Sequence, residues 1–296
     1  MTAIVEPGSA EWLALITPSK VAAILGMSRW ESPYRLWHRM KGIVPPEPPA
    51  DRFDVGHAME AALAELWRIR NPGWQLSRPQ LQITREFPGF TSLATLDRRA
   101  RRGTRRRCVE FKVARRLEDW TRFGTDEAPA DYTAQLQWQM HVTGYIDDPA
   151  HLMVMGPYFE HHTYEVAYDA ELAAAIEDIC SDFHQSLRSD VPPPLDDSVA
   201  TYECVRELHP DIDAAATAVL DPELAASYLD ADRAVKTAET ILRGNKTRVL
   251  DAMGTAAAAN SAGQPIATRR RNSHGSVSLY ADTKTHPENL KESIPA

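Results

Sequence analysis

The hydrophobic pattern changes period twice in the first half of the chain, and this change restricts the fold to a mixed α/β architecture. From about Phe53 to Arg70 the apolar positions Val55, Met59, Ala62, Leu63, Leu66 and Trp67 recur every three or four residues, which describes one buried face of a long helix. Residues 79–114 alternate instead, so Leu81-Gln82-Ile83, Ser92–Asp97 and Cys108–Val113 read as strands. Tyr132–Val142 returns to helical spacing, with Leu136 and Met140 on one side and an unusually polar side of Tyr132, Gln135 and Gln139. Short helices open at Thr17-Pro18 and Ser32-Pro33 and close at Gly26 and Gly42, because a capping hydroxyl followed by proline starts a helix and a glycine stops one. A proline-rich loop at 45–49 follows the second of them. Residues 151–157 and 162–168 predict two more strands and 170–188 a helix that ends at Pro192-Pro193-Pro194. That triple proline is the expected boundary between a domain at 1–195 and a mostly helical extension at 196–296. The extension carries a long helix over 222–260, broken near Gly244, and a terminal hairpin at 264–281. The fold class expected is thus a central mixed sheet flanked by helices.

With 296 residues, 43% hydrophobic and 25% charged, the chain can bury a sizeable core, and disordered and fibrous classes are excluded. It has no apolar run long enough to span a bilayer, and Met1–Pro18 lacks the basic-then-apolar pattern of a signal peptide, so a cytoplasmic protein without membrane association is expected. Cys108, Cys180 and Cys204 are widely spaced and form no CxxC pair, which removes disulfide frameworks and four-thiolate metal sites. The net charge of −8 argues against a general nucleic-acid coat, yet seven arginines fall between Arg98 and Arg107. Such a tract is either a solvated hairpin tip or a contact for phosphates.

The residues with chemistry are Asp97 and, beyond twelve intervening residues, Glu110-Phe111-Lys112. Strand alternation puts Glu110 and Lys112 on one face, and hairpin pairing can bring Asp97 beside them. Two carboxylates and an ammonium suit a hard divalent cation, which takes oxygen ligands from carboxylates, water and phosphates. The same spacing also suits a surface hairpin with cross-strand charge pairs.

The flanking segments bear on this choice. Asp97 with Glu110-Phe111-Lys112 resembles the PD-(D/E)xK nuclease core. Ile16-Thr17-Pro18-Ser19 through Gly26, Gly56-His57-Ala58-Met59-Glu60 and Tyr132-Thr133-Ala134-Gln135-Leu136-Gln137 are similar, in order and spacing, to the lambda exonuclease branch of that superfamily, the YqaJ-like phage recombination exonucleases. The resemblance covers roughly residues 10–195. It implies that Asp97, Glu110 and the Phe111 carbonyl hold magnesium, with manganese as an alternative, and that Glu60 completes the acidic site. Lys112 would act on the attacking water, with Gln135 beside it. For DNA it implies Ser19, Thr95 and Tyr132, to which the tract adds Arg98, Arg99, Arg101, Arg102, Arg105 and Arg106.

The activity implied is magnesium-dependent digestion of the 5′ strand at linear duplex ends. The 3′ overhangs left would serve a single-strand annealing protein as partner, the enzyme would be a homotrimer, and the gene would belong to a phage or prophage in a bacterial host. Within enzymes the rival reading is an endonuclease of the same superfamily; outside them it is a DNA-end binding module without catalysis. One departure stands out: where the family pattern has an arginine seven residues before the serine, this chain has Trp12. His161 and His162, adjacent on a strand, point to opposite faces and do not share an ion. Of Trp30, Trp37, Trp67 and Trp138, all but Trp30 are expected in the core.

Overall fold

The computed structural model describes residues 4–46, 51–117, 120, 127–271 and 275–291. The chain divides into two compact units, residues 1–212 and 213–296.

The first unit begins with α1 (Ala10–Leu13), α2 (Pro18–Ile24), α3 (Pro33–Met40) and α4 (Asp51–Arg70). Pro18 and Pro33 occupy the first turn of their helices, and the Ser32 side chain caps α3 by accepting from the Arg35 N–H. The proline-rich loop expected at 45–49 lies mostly outside the described residues. After α4 come β1 (Gln75–Leu76), β2 (Leu81–Phe87), β3 (Phe90–Leu96), β4 (Arg98–Arg102) and β5 (Arg105–Val113). Then follow α5 (Ala130–Thr143), β6 (Ala150–Met155), β7 (His161–Val166), α6 (Ala170–Ser189) and α7 (Val199–Leu208). A five-stranded sheet runs β1-β4-β5-β6-β7, with β5 and β6 parallel and the other neighbours antiparallel. Strands β2 and β3 pair separately as a ribbon.

The arginine tract, expected as the hairpin turn between the strands at Ser92–Asp97 and Cys108–Val113, supplies strand residues of its own. Its residues form β4 and the start of β5, in a hairpin with Arg102 opposite Arg105 and Gly103 at φ +63°, a left-handed conformation that glycine adopts without a Cβ clash. Strand β3 therefore pairs with β2, and the chain passes into β4 at Asp97. Because Arg98 pairs with Val109, the next register position places Asp97 opposite Glu110.

Alternation along β5 divides its side chains between two cores. Val109 and Phe111 pack with Leu63, Trp67, Trp74, Met153 and Met155 on the α4 side, whereas Cys108 belongs to the larger core around α2, α5 and α6. Trp138 anchors that larger core, stacking near Phe87 and Phe90 and donating from its indole N–H to Ser92 Oγ at 3.0 Å. Ser92 Oγ in turn donates to the Ile16 carbonyl at 2.7 Å, which fastens the approach to α2 onto β3. Trp37, Trp67 and Trp138 are buried, and Trp30 is 73% exposed.

The boundary expected at residue 195 falls instead at 212, because α7, beyond the triple proline, packs on α3. Thr201 Oγ1 donates to Ser32 Oγ at 2.7 Å, Cys204 is buried, and Arg35 pairs with Glu207 at 2.9 Å. The second unit holds α8 (Pro222–Met253), β8 (Ala258–Ser261), β9 (Gln264–Arg271), β10 (Val277–Ala281) and α9 (Pro287–Lys291). The long helix is continuous through Gly244, and the expected hairpin is a three-stranded sheet in the order β10-β9-β8. Among the described residues no helix is long and apolar enough to cross a membrane.

Candidate active site

Strand β5 presents Glu110 toward α5, and α5 answers with amides. Gln135 Nε2 donates to Glu110 Oε1 at 2.7 Å and Gln139 Nε2 donates to Oε2 at 2.8 Å, two residues one helical turn apart on one face. Lys112, two residues along the same strand, donates to Oε1 at 2.7 Å. Asp97 Oδ2 accepts the Phe111 backbone N–H at 2.8 Å. The structure thus brings Asp97, Glu110, Lys112 and Gln135 together, as the sequence pattern suggested, and adds Gln139.

The electrostatics show excess negative charge. Burial and the nearby Glu110 carboxylate push the Asp97 pKa well above the usual carboxylate range. Glu60 is also raised, first by burial and then by Glu110, against the opposing pull of His57. Burial disfavours the charge on Lys112, but Glu110 and Asp97 outweigh it and hold the ammonium protonated above its ordinary value. Among the described residues no three acidic, histidine or cysteine side chains close into a metal cage. The donor set still fits a hard cation: it offers only oxygens, and mutual repulsion between its carboxylates is the strain a divalent charge relieves.

Beside these groups lies a cleft of about 580 Å³. Glu60, Asp97, the Phe111 segment, Lys112 and Tyr132 line it, together with Arg29, Trp30, Arg115 and Arg116, none of which the sequence pattern singled out as a phosphate contact. Tyr132 stacks on Trp120 at 4.9 Å, and its ring lies 5.5 Å from the Lys112 ammonium.

Residues 11–146 match the sequence model of the YqaJ-like viral recombinase domain. Over this segment the chain is similar to that family. Among solved structures, the chain is similar to an alkaline exonuclease from Laribacter hongkongensis, at 21% identity over 61% of this chain and 91% of that one, with a TM-score of 0.49. The same exonuclease in complex with dAMP aligns at 20% identity over 63% and 94%, with a TM-score of 0.50. A putative exonuclease from Eubacterium rectale aligns at 11% identity over 74% and 97%, with a TM-score of 0.47. No curated protein matches the sequence. The neighbour at TM-score 0.50 shares the mixed α/β fold.

Within the matched segment the remaining expected residues are distributed unevenly. Ser19 is exposed in the first turn of α2, hydrogen-bonded to Thr17 at 3.1 Å. Thr95 is half-buried and accepts from Gln82 at 3.3 Å. Of the arginine tract, Arg98 is not on the exposed hairpin: it is buried and donates to the Asp97 carbonyl at 2.6 Å. Arg99 is half-buried, and Arg105 is ion-paired with the buried Asp148, leaving Arg101, Arg102 and Arg106 as the exposed members without a carboxylate partner among the described residues.

Trp12, which replaces the arginine of the family pattern, has a clear local role. The Lys20 ammonium lies 4.0 Å from its ring centre and donates to the carbonyls of Trp12, Leu13 and Leu15 at 2.7, 3.2 and 2.6 Å. Burial pushes the Lys20 pKa down to about 7, while three carbonyl acceptors match the three N–H donors of the charged form. An arginine at position 12 would set a second cation beside this buried one. Nothing in the sequence pattern marked Lys20, which reads as an ordinary surface lysine of a short helix.

Proposed function

We propose that this chain is a divalent-metal-dependent deoxyribonuclease that digests the 5′ strand from the ends of linear duplex DNA. The observation that carries the reading is Asp97, placed opposite the buried Glu110 and opening with Lys112 into a cleft whose walls carry Arg29, Arg115 and Arg116. Acids alone would repel a phosphodiester; acids below a rim of guanidinium groups accommodate one. The fold shared with the exonuclease seen with dAMP is consistent with that substrate class.

Asp97, Glu110 and the Phe111 carbonyl would hold magnesium, or manganese, with Glu60 approaching from α4. A bound divalent cation supplies Lewis acidity toward the phosphoryl oxygen and lowers the pKa of a coordinated water. Lys112 is held protonated by its neighbours, so it orients the attacking water and stabilises charge developing on the phosphate. Gln135 shares Glu110 Oε1 with Lys112 and keeps both groups in register. Trp30, exposed at the cleft, offers a face on which a base can stack. Ser19 and Thr95 supply hydroxyls for a 5′-phosphate, and a single-strand annealing protein would receive the 3′ overhang from a homotrimeric enzyme.

The test is an end-labelled linear duplex, with a closed circular duplex of the same sequence, each with and without magnesium. Release of 5′ label from the linear substrate only, and only with metal, is expected. Cleavage of the circle would make the protein an endonuclease, and retention of ends without cleavage would make it a binding module.

A further inference from the structure

We infer that Gln139 is a positioning residue of this active site, an amide that fixes the plane of the Glu110 carboxylate for a divalent cation. The inference rests on the metal-dependent reading above and adds a residue to it. Gln139 is only 1% exposed, so it meets the Glu110 carboxylate from within the fold, out of reach of substrate.

The terminal torsion of a glutamate is broad and soft, so a carboxylate gripped by one oxygen alone can pivot about it. Lys112 and Gln135 both hold Oε1. Gln139 holds Oε2, and that third contact removes the pivot. The cost is visible in the amide itself: the Gln139 carbonyl oxygen is buried without a hydrogen-bond partner among the described residues.

Gln137, two residues away on the same helix and equally buried, provides the contrast. Its Nε2 donates to the Ala167 carbonyl at 2.7 Å, and its Oε1 accepts the Asp169 N–H at 3.0 Å, so both ends are satisfied. That pattern belongs to a glutamine whose role is structural. Gln139 keeps one end on the Glu110 carboxylate at the expense of the other, the pattern of a residue kept for what it orients. Partners behind metal ligands of this kind typically govern about 10–100-fold in metal affinity.

The experiment measures Mn2+ affinity by isothermal titration without DNA for the wild type, Gln139→Met and Gln137→Met, with thermal midpoints in metal-free buffer. Methionine conserves volume and removes the amide. Gln139→Met should lose about tenfold in Mn2+ affinity. The metal concentration that half-activates cleavage should rise in step, the KM for DNA ends should be unchanged, and the metal-free midpoint should be equal or higher. Gln137→Met should lower the midpoint and leave metal affinity unchanged. If Gln139→Met melts below the assay temperature, Gln139→Ala, which leaves room for water, carries the same comparison. Wild-type Mn2+ affinity in the Gln139 variant overturns the positioning role alone; a wild type that binds no Mn2+ overturns the active-site reading as well.

Discussion

The two ends of β5 both crowd like charges, and they settle the conflict differently. At the hairpin end, Arg102, Arg105 and Arg107 surround the Trp74 ring at 4.9, 5.5 and 4.4 Å, and Asp148, 1% exposed, pairs with both Arg105 and Arg107. Arg107 also meets His151, whose other ring nitrogen faces the Trp67 indole N–H at 3.0 Å. There the buried charges are paired, Arg107 with Asp148, while the excess guanidinium groups, Arg102 and Arg105, reach solvent. At the other end Asp97 and Glu110 face each other with the Lys112 ammonium on Glu110, and the Asp97 pKa stays raised. A buried charge paired with its opposite holds a fold together; a buried carboxylate set against another at a cleft is prepared to bind something of the opposite charge.

Changing one residue at each end should therefore produce opposite phenotypes, and the largest effect is at the acidic end. Lys112→Met should lose about 10²–10⁴-fold in cleavage while DNA-end binding and the fold persist, which single-turnover rates at saturating protein would show. Asp148→Ala should do the reverse, costing about 3–5 kcal/mol of stability because it strands the buried Arg107 charge, with the folded fraction still cleaving at the wild-type rate. Urea titration followed by assay in native buffer separates the two.

A smaller effect comes from pH. Burial, reinforced by Arg107, pushes the His151 pKa down to about 3, so the folded state keeps the imidazole neutral. In the unfolded chain it protonates near its ordinary value of about 6.5. The unfolded state then binds the extra proton as pH falls, so this contribution to stability is full above about pH 6.5 and shrinks toward pH 3. Between pH 6.5 and 5 the loss should be about 2 kcal/mol, and His151→Gln should flatten the slope. Equal slopes would show that His151 is protonated in the folded protein. Smallest is the exposed tip. Replacing Arg101, Arg102 and Arg106 with glutamine should lower the salt slope of DNA binding by less than replacing Arg115 and Arg116, each true phosphate contact being worth about one unit of slope.

The acidic site was legible in the sequence because its geometry is local. Period-two alternation places Glu110 and Lys112 together, and the short hairpin brings Asp97 opposite, so no long-range contact had to be guessed. The polar face of Tyr132, Gln135 and Gln139 was visible too, though only the fold shows that both amides meet the same carboxylate. The arginine strands were hidden because arginine carries no apolar alternation; what fixes them is Trp74 and Asp148, distant in sequence. Arg29, Arg115 and Arg116 were missed for the same reason, since separate loops bring them to one cleft. The boundary moved from 195 to 212 because prolines mark where a helix stops, whereas Thr201 and Cys204 decide where packing stops.

The measurement that most directly tests the contrast is the thermal midpoint of the wild type and of Asp97→Asn across a magnesium titration without DNA. If Asp97 and Glu110 repel each other in the metal-free fold, the wild type gains stability as metal binds, by about 2.7 kcal/mol at a hundredfold excess over its Kd. Asp97→Asn, relieved of the repulsion, should start at an equal or higher midpoint and gain little. A wild-type midpoint that ignores magnesium, together with an Asp97→Asn variant less stable than the wild type, would show the pair to be compensated within the fold and would contradict the account.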